Sequence, residues 1–258
     1  MDPGTIIGLV LAFGGILLSM VMEGSSPMAI VLIPPMLLVF FGTFGAAMAG
    51  GLMSDGIGVI KSLIRALTGK APDPSAVIET IVPLAERARR EGLLALEDAA
   101  KDIDDDFLKR GLGLAIDGTD PEDLRSLLES EVDVKRSVDK AGAKIFGDMG
   151  GYAPTIGIIG TVIGLIHVLS NLSKPDQLGK LIASAFIATL WGVMTANVFW
   201  MPISNKLKRL SELEIAQMNL IIEGIMSIQA GANPRLVAQR LRALAPQTAE
   251  SDEKSKAA

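Results

Sequence analysis

The 258-residue sequence has no cysteine, one histidine and one tyrosine, and aromatic residues make up only 4% of it. Without cysteine there is no disulfide framework, thiol nucleophile or Cys-based zinc site. A lone histidine leaves metal chemistry and Ser-His catalysis little to work with. The chain therefore reads as a non-enzyme that needs no cofactor. Basic charge is scarce as well: a net charge of -5 and a pI near 5.0 argue against a nucleic-acid binder, which normally carries a basic surface. Charge of either sign is nearly missing from two long tracts. Between Pro3 and Gly58 only Glu23 and Asp55 are charged, and between Ile145 and Asn205 only Asp148, Lys174, Asp176 and Lys180.

What is plentiful is apolar: 49% of residues are hydrophobic and the mean hydropathy is +0.42. A bilayer core of about 30 Å needs roughly 20 apolar residues per helix, so each tract accommodates two helices joined by a turn. The expected spans are Gly4 to Met22, Met28 to Met53, Ala153 to Leu172 and Leu178 to Ile203. Gly24, Ser25, Ser26 and Pro27 break the first pair, and Asn171, Ser173 and Pro175 break the second, as turn-forming residues do. A cleaved leader fits poorly, because Asp2 precedes the first run and no Lys or Arg occurs before Lys61. Basic residues gather at span ends: Lys61, Arg65 and Lys70 after the second, Lys140 and Lys144 before the third, Lys206, Lys208 and Arg209 after the fourth. The positive-inside rule then puts the middle segment and both termini in the cytoplasm and both hairpins outside.

The segment from about Ser54 to Gly147 is highly charged and has helical periodicity. Ile78, Ile81, Val82, Leu84, Ala85 and Ala88 recur at three- and four-residue steps, Gly92 interrupts, and Leu93, Leu94, Leu96 and Ala99 resume. A further helix starts at Asp106 and ends at Gly118, with Thr119 as a cap candidate. Asp120-Pro121-Glu122-Asp123 opens another, which meets no proline before Pro154. Beyond the fourth span, Ile203, Leu207, Leu210, Leu213 and Leu220 continue an amphipathic helix up to Gly231, and a short helix from Arg235 to Leu244 follows. The fold class expected is an all-α integral membrane protein. Four transmembrane helices surround a helical cytoplasmic domain between spans two and three, and a cytoplasmic helix ends the fold. The segments are 1–53, 54–147, 148–203 and 204–245, with a disordered tail over 246–258.

Ionisable residues within spans are functional candidates by default. Here only His167 lies well inside a span, with Lys180 at the outer end of the fourth and Asp148 at a boundary. No mid-membrane carboxylate can carry a proton or hold a cation, so an ion pathway would require a partner to supply one. His167 also reads as a packing or interfacial histidine. Gly157, Gly160, Thr161 and Gly164 form one small-residue stripe, and Ser184, Ala185, Ala188, Thr189, Gly192 and Ala196 form another. Such stripes allow close helix packing; alternatively they face a water-accessible seam, where Thr161 and Thr189 offer oxygens to a cation.

The run Gly150-Gly151-Tyr152-Ala153-Pro154-Thr155-Ile156-Gly157-Ile158-Ile159-Gly160-Thr161-Val162-Ile163-Gly164-Leu165 resembles the signature of the MotA/TolQ/ExbB proton-channel family. Ala188-Thr189-Leu190-Trp191-Gly192, Ala196-Asn197 and Met201-Pro202-Ile203 are similar to the fourth-span pattern of its MotA/PomA branch. The segment from Ala88 to Asp98 resembles the part of that branch that touches the flagellar rotor. The resemblance implies a flagellar stator subunit of the bacterial inner membrane that carries protons or sodium ions. It implies a ring, a pentamer in this family, around a single-span MotB/PomB-type partner that supplies the ion-carrying aspartate. It also implies torque on the rotor protein FliG.

By position, the resemblance makes Thr161 and Thr189 pore-lining hydroxyls, Pro154 and Pro202 coupling prolines, and Arg89, Arg90, Glu97 and Asp98 rotor contacts. On physical grounds the prolines also read as static kinks, and the charges as an ordinary solvated face. In the family, threonine at position 161 accompanies sodium use. Position 188, threonine in some sodium-type members, is alanine here, so the ion stays unassigned. Two further readings are an ExbB/TolQ-like energiser of outer-membrane transport, which has three spans and its large loop after the first, and an unrelated transporter with inverted repeats and broken helices. Neither pattern matches this hydropathy.

Overall fold

A computed structural model describes residues 4–245, and among them every regular element is helical. The tail expected over 246–258 lies outside the described residues. The chain divides into two compact units: Met1–Lys70 with Asp139–Arg209, and Ala71–Val138 with Leu210–Ala258.

In the first unit, α1 (Gly4–Met22) coincides with the first expected span and has no residue buried within the chain. One stripe, with Leu9, Ala12, Phe13 and Ile16, is half-buried against the rest of the unit, and its other apolar residues face outward. The second expected span begins later than the hydropathy indicates. A 3-10 turn, Pro27–Ile30, comes first, held by Ser26 Oγ accepting from the Met28 amide at 3.3 Å; α2 then covers only Ile33–Ala49. Pro34 and Pro35 explain the delay, since neither donates an N–H and their rings clash with the preceding turn. Gly50 and Gly51 end α2 before the amphipathic α3 (Met53–Thr68).

Among the described residues three helices are long and apolar enough to cross a membrane: α1, α7 (Pro121–Ser170) and the helical run Pro175–Gln229. Ile33–Ala49 is a shorter apolar helix. The run contains α8 (Pro175–Thr195), a π-helical turn (Ala196–Trp200) and α9 (Met201–Gln229). The π turn has a local cause. Pro202 has no N–H and its ring crowds the Val198 carbonyl, so the turn before it widens and the Met201 amide bonds the Ala196 carbonyl five residues back. By contrast α7 runs through Pro154 without a break.

Buried Phe146, Met149, Ile203 and Leu207 make a core with Ala47, Ala66 and Ala143, onto which Val59 and Leu63 of α3 pack. Arg65 of α3 grips the buried Asp139 with both nitrogens, at 2.5 and 3.1 Å. A paired guanidinium of this kind is what makes a carboxylate tolerable in an interior.

The second unit is helical and has a hydrophobic core of its own. Here α4 (Pro74–Glu91) starts with Asp73 accepting from Ser75 N at 3.0 Å. It stops at Gly92, whose φ of 89° favours glycine. A 3-10 turn (Leu93–Leu96) leads to the short α5 (Glu97–Lys101). The cap of α6 (Asp106–Ile116) is Asp105, whose Oδ1 accepts from Phe107 N and Leu108 N. Asp120, not Thr119, caps α7, with its carboxylate 2.8 Å from Glu122 N. A carboxylate at this position also answers the helix dipole, which a hydroxyl does less well. Finally Asn233 caps α10 (Pro234–Leu244), accepting from Arg235 N at 3.0 Å. Ile81, Leu96, Leu112, Leu124, Ile221 and Leu241 lie in the core of this unit.

Candidate functional site

The small-residue stripes on α7 and α8 face each other. A Cβ on Gly157 would lie 2.9 Å from the Ala188 carbonyl oxygen and 3.0 Å from the Thr189 Cα. On Gly192 it would lie 2.5 Å from the Ala153 carbonyl oxygen, and on Gly164 2.5 Å from the Ala185 Cβ. The two backbones touch, as only glycine permits.

That contact brings Thr161 and Thr189 together. Their hydroxyls hydrogen-bond each other, Thr161 Oγ1 lies 3.3 Å from the carbonyls of both Gly157 and Ala185, and Thr189 Oγ1 lies 3.2 Å from the Gly157 carbonyl. Two hydroxyl protons are shared among four oxygens, so the node is rich in acceptors. Both threonines are only half-buried. Neutral oxygens of this kind can order water or contribute to a cation's shell, but they supply no anion to hold a proton. His167 is exposed and apart from this node, with its own carbonyl accepting from Asn171 Nδ2 at 2.9 Å. Asp148 is held by Lys144 at 2.5 Å. Among the described residues no three His, Asp or Glu side chains gather as a metal site.

Trp191 was quoted in the sequence motif but given no role. Its indole N–H donates to the Ile30 carbonyl at 2.7 Å, and its ring tilts against Phe40 at 5.7 Å. It thereby ties α8 to the turn before α2, one turn from the threonine node. Pro154 lies on α7 next to Ala153, whose carbonyl meets Gly192. Pro202 borders a cleft with Thr5, Gly8, Ala12 and Asn197.

The charged residues of the second unit do not form one patch. Arg89 and Arg90 occupy the last turn of α4, beside a cleft shared with Glu86, Asn233, Pro234 and Arg235. Glu97 lines a different cleft, with Leu94, Lys101, Lys109 and Asp117. Asp98 is already paired with Lys101 at 2.9 Å. This hydrogen bond and the lysine charge hold the Asp98 carboxyl below its ordinary range, and Asp98 in turn raises Lys101. Arg90 contacts Glu86 at 3.6 Å, an exposed pair of small worth.

The family model described as MotA/TolQ/ExbB proton channel family matches residues 99–220. The chain is 40% identical to Motility protein A of Bacillus subtilis over 245 residues, 93% of this chain and 90% of that protein. The chain belongs to the MotA/TolQ/ExbB proton channel family. Within it, chemotaxis protein PomA of Vibrio alginolyticus is 33% identical over 242 residues, covering 94% of each chain. A solved structure of C. jejuni MotAB superposes with a TM-score of 0.91 at 30% identity, covering 96% of this chain and 97% of that one. The flagellar MotAB stator complex from Bacillus subtilis gives 0.88 at 38% identity, with 98% of both chains covered. Likeness over nearly the whole length accounts for the ordered occurrence of all three motifs in this family member.

Proposed function

We propose that this chain is the ion-channel subunit of a flagellar stator, converting a proton or sodium gradient into torque. The observation that carries the proposal is the Thr161–Thr189 hydroxyl node, acceptor-rich and without a carboxylate, in a chain similar over nine-tenths of its length to motility proteins. Such a node completes an ion path only when a single-span MotB/PomB-type partner brings an aspartate beside it. In this reading α1, α2, the part of α7 from about Ala153 and the part of the Pro175–Gln229 run to about Ile203 are the four spans. They lie in the inner membrane with both termini cytoplasmic. Residues 54–147 and 204–245 form the cytoplasmic part, several copies, five by family analogy, ring the partner, and the work done is mechanical and not enzymatic. Arg89, Arg90, Glu97 and Asp98 engage the rotor protein FliG, and Pro154 and Pro202 couple ion passage to movement. Similarity to motility proteins at more than 90% coverage supports this reading over an ExbB/TolQ-like energiser.

The test is swimming of a stator-null strain complemented with this chain and its cognate partner, over a sodium series at fixed pH with a protonophore control. Speed that follows sodium gives Thr161 a coordinating role, and speed lost with the protonophore gives proton drive. Absence of motility despite insertion and partner binding refutes the stator reading. Thr189→Val, which keeps shape and removes the hydroxyl, should abolish torque while the assembly still forms. Loss of the assembly itself would reduce Thr189 to a packing residue.

A further inference from the structure

The cleft between the end of α4 and the start of α10 has a charge excess that the fold does not use. It measures about 450 Å³ and is bordered by Arg89, Arg90 and Arg235, with Glu86 its one acidic side chain. Glu86 is committed to Arg90, at 3.6 Å. The guanidiniums of Arg89 and Arg235 are exposed and make no ion pair or side-chain hydrogen bond among the described residues. Elsewhere in this unit Arg110 is paired with Glu131 at 2.8 Å and Arg240 with Glu223 at 2.9 Å. Arg235 also gives α10 nothing as a helix, because a cation in the first turn opposes the dipole that an acid there would favour. Asn233 and Pro234 fix the first turn of α10 through the cap and a preset φ, so Arg235 is held beside α4 by the backbone.

We propose that Arg235 joins Arg89 and Arg90 in a carboxylate-binding cleft that seats an acidic side chain of the rotor protein, making α10 part of the rotor-docking surface. The inference rests on the stator reading above and extends its contact from one helix to two. Guanidiniums suit the task, since their planar forks take a carboxylate in a bidentate grip that ammonium groups do not reproduce. The separate cleft at Glu97 is of mixed charge, with Lys101, Lys109 and Asp117 beside it, so the preference for a carboxylate belongs to the arginine cleft.

The experiment uses the full chain with its cognate partner in a stator-null strain, and counts fluorescently tagged stator units at single motors. Arg235→Ala should lower occupancy about two- to fivefold, the fold-change of one exposed ion pair. Arg235→Glu should lower it further, with recovery when one acidic residue of the rotor protein is reversed. Combining Arg90→Ala with Arg235→Ala should cost less than the product of the two, because both act on one carboxylate. Arg136→Glu, which changes net charge equally at an exposed site on α7, should have no effect. An acid in the first turn of α10 is compatible with the helix, and Arg235→Gln serves if Arg235→Glu lowers membrane levels. Normal occupancy with Arg235→Glu alongside loss with Arg90→Glu overturns the role of Arg235 and leaves the stator reading standing. Normal occupancy with both overturns the rotor contact itself. Equal loss with Arg136→Glu overturns the cleft in favour of overall charge.

Discussion

Replacing Gly192 by alanine places a methyl group 2.5 Å from the Ala153 carbonyl oxygen and 3.1 Å from the Gly157 Cα. Ordinary contact begins near about 3.5 Å, so α7 and α8 must part by roughly 1 Å. Both opposing atoms are backbone, so no side-chain rotation relieves the clash. The hydroxyl bonds at 3.2 and 3.3 Å then stretch past the hydrogen-bond limit. Overpacking of this kind costs about 1–3 kcal/mol and each lost interhelical hydrogen bond in a membrane roughly 0.6, for a total of about 2–4 kcal/mol. The assay is denaturant unfolding of the purified stator complex, paired with swimming speed. Gly151→Ala is the control: it lies on α7, the helix that Gly192 of α8 faces, and a methyl there meets nothing within 4 Å. The expected result is a destabilised, non-motile Gly192→Ala and an unaffected Gly151→Ala. If Gly192→Ala matched the control in both stability and speed, the glycine contact would not be what holds the threonine node.

Other consequences are as direct. Pro202→Leu restores an N–H and removes the cause of the π turn, so the helix should regularise and the ion-driven speed should fall without loss of assembly, measured in the same strain. Trp191→Phe keeps an aromatic ring near Phe40 but deletes the 2.7 Å bond to Ile30, and should cost about 0.5–1.5 kcal/mol in the unfolding assay. The Asp98–Lys101 pair has a defined pH window. Asp98 is depressed, so its contribution is complete above the ordinary carboxylate value and lost as pH falls through the lower folded value; Lys101 is raised, so its contribution is complete below the ordinary lysine value and lost as pH rises through the higher folded one. Stator occupancy should therefore not change through this pair between about pH 6 and 8, and Lys101→Met should move the acid-side loss of occupancy to higher pH.

Much of this was legible in local pattern. The helix over Gly4–Met22, the helix start at Pro121, the short helix after Pro234 and the stops at Gly92 and Gly118 follow from hydropathy, caps and breakers that act over one turn. The second span was drawn too long because hydropathy ignores hydrogen-bond donors. Pro34 and Pro35, read as breakers, would have delayed its start. Trp191 gained its role only from a carbonyl in a distant turn, Ile30, and nothing in its own neighbourhood points there. In the sequence Arg89, Arg90, Glu97 and Asp98 fall within one short segment. The turn at Gly92 and the 3-10 segment after it send Arg89 and Arg90 to one cleft and Glu97 to another.

The sequence alone determined that the chain is helical, that two tracts are poor in charge, and that no carboxylate lies within the four expected spans, because periodicity and composition are properties of short windows. It marked Thr161 and Thr189 as candidates on separate stripes. Only the tertiary structure decided that their hydroxyls meet, 28 residues apart in the chain. That meeting depends on the register and distance between α7 and α8, which Gly157, Gly164 and Gly192 set jointly by removing every Cβ that would hold the backbones apart. The alignment of Arg235 with Arg89 has the same origin. A helix pattern fixes which face a residue is on, and only packing fixes which face it meets.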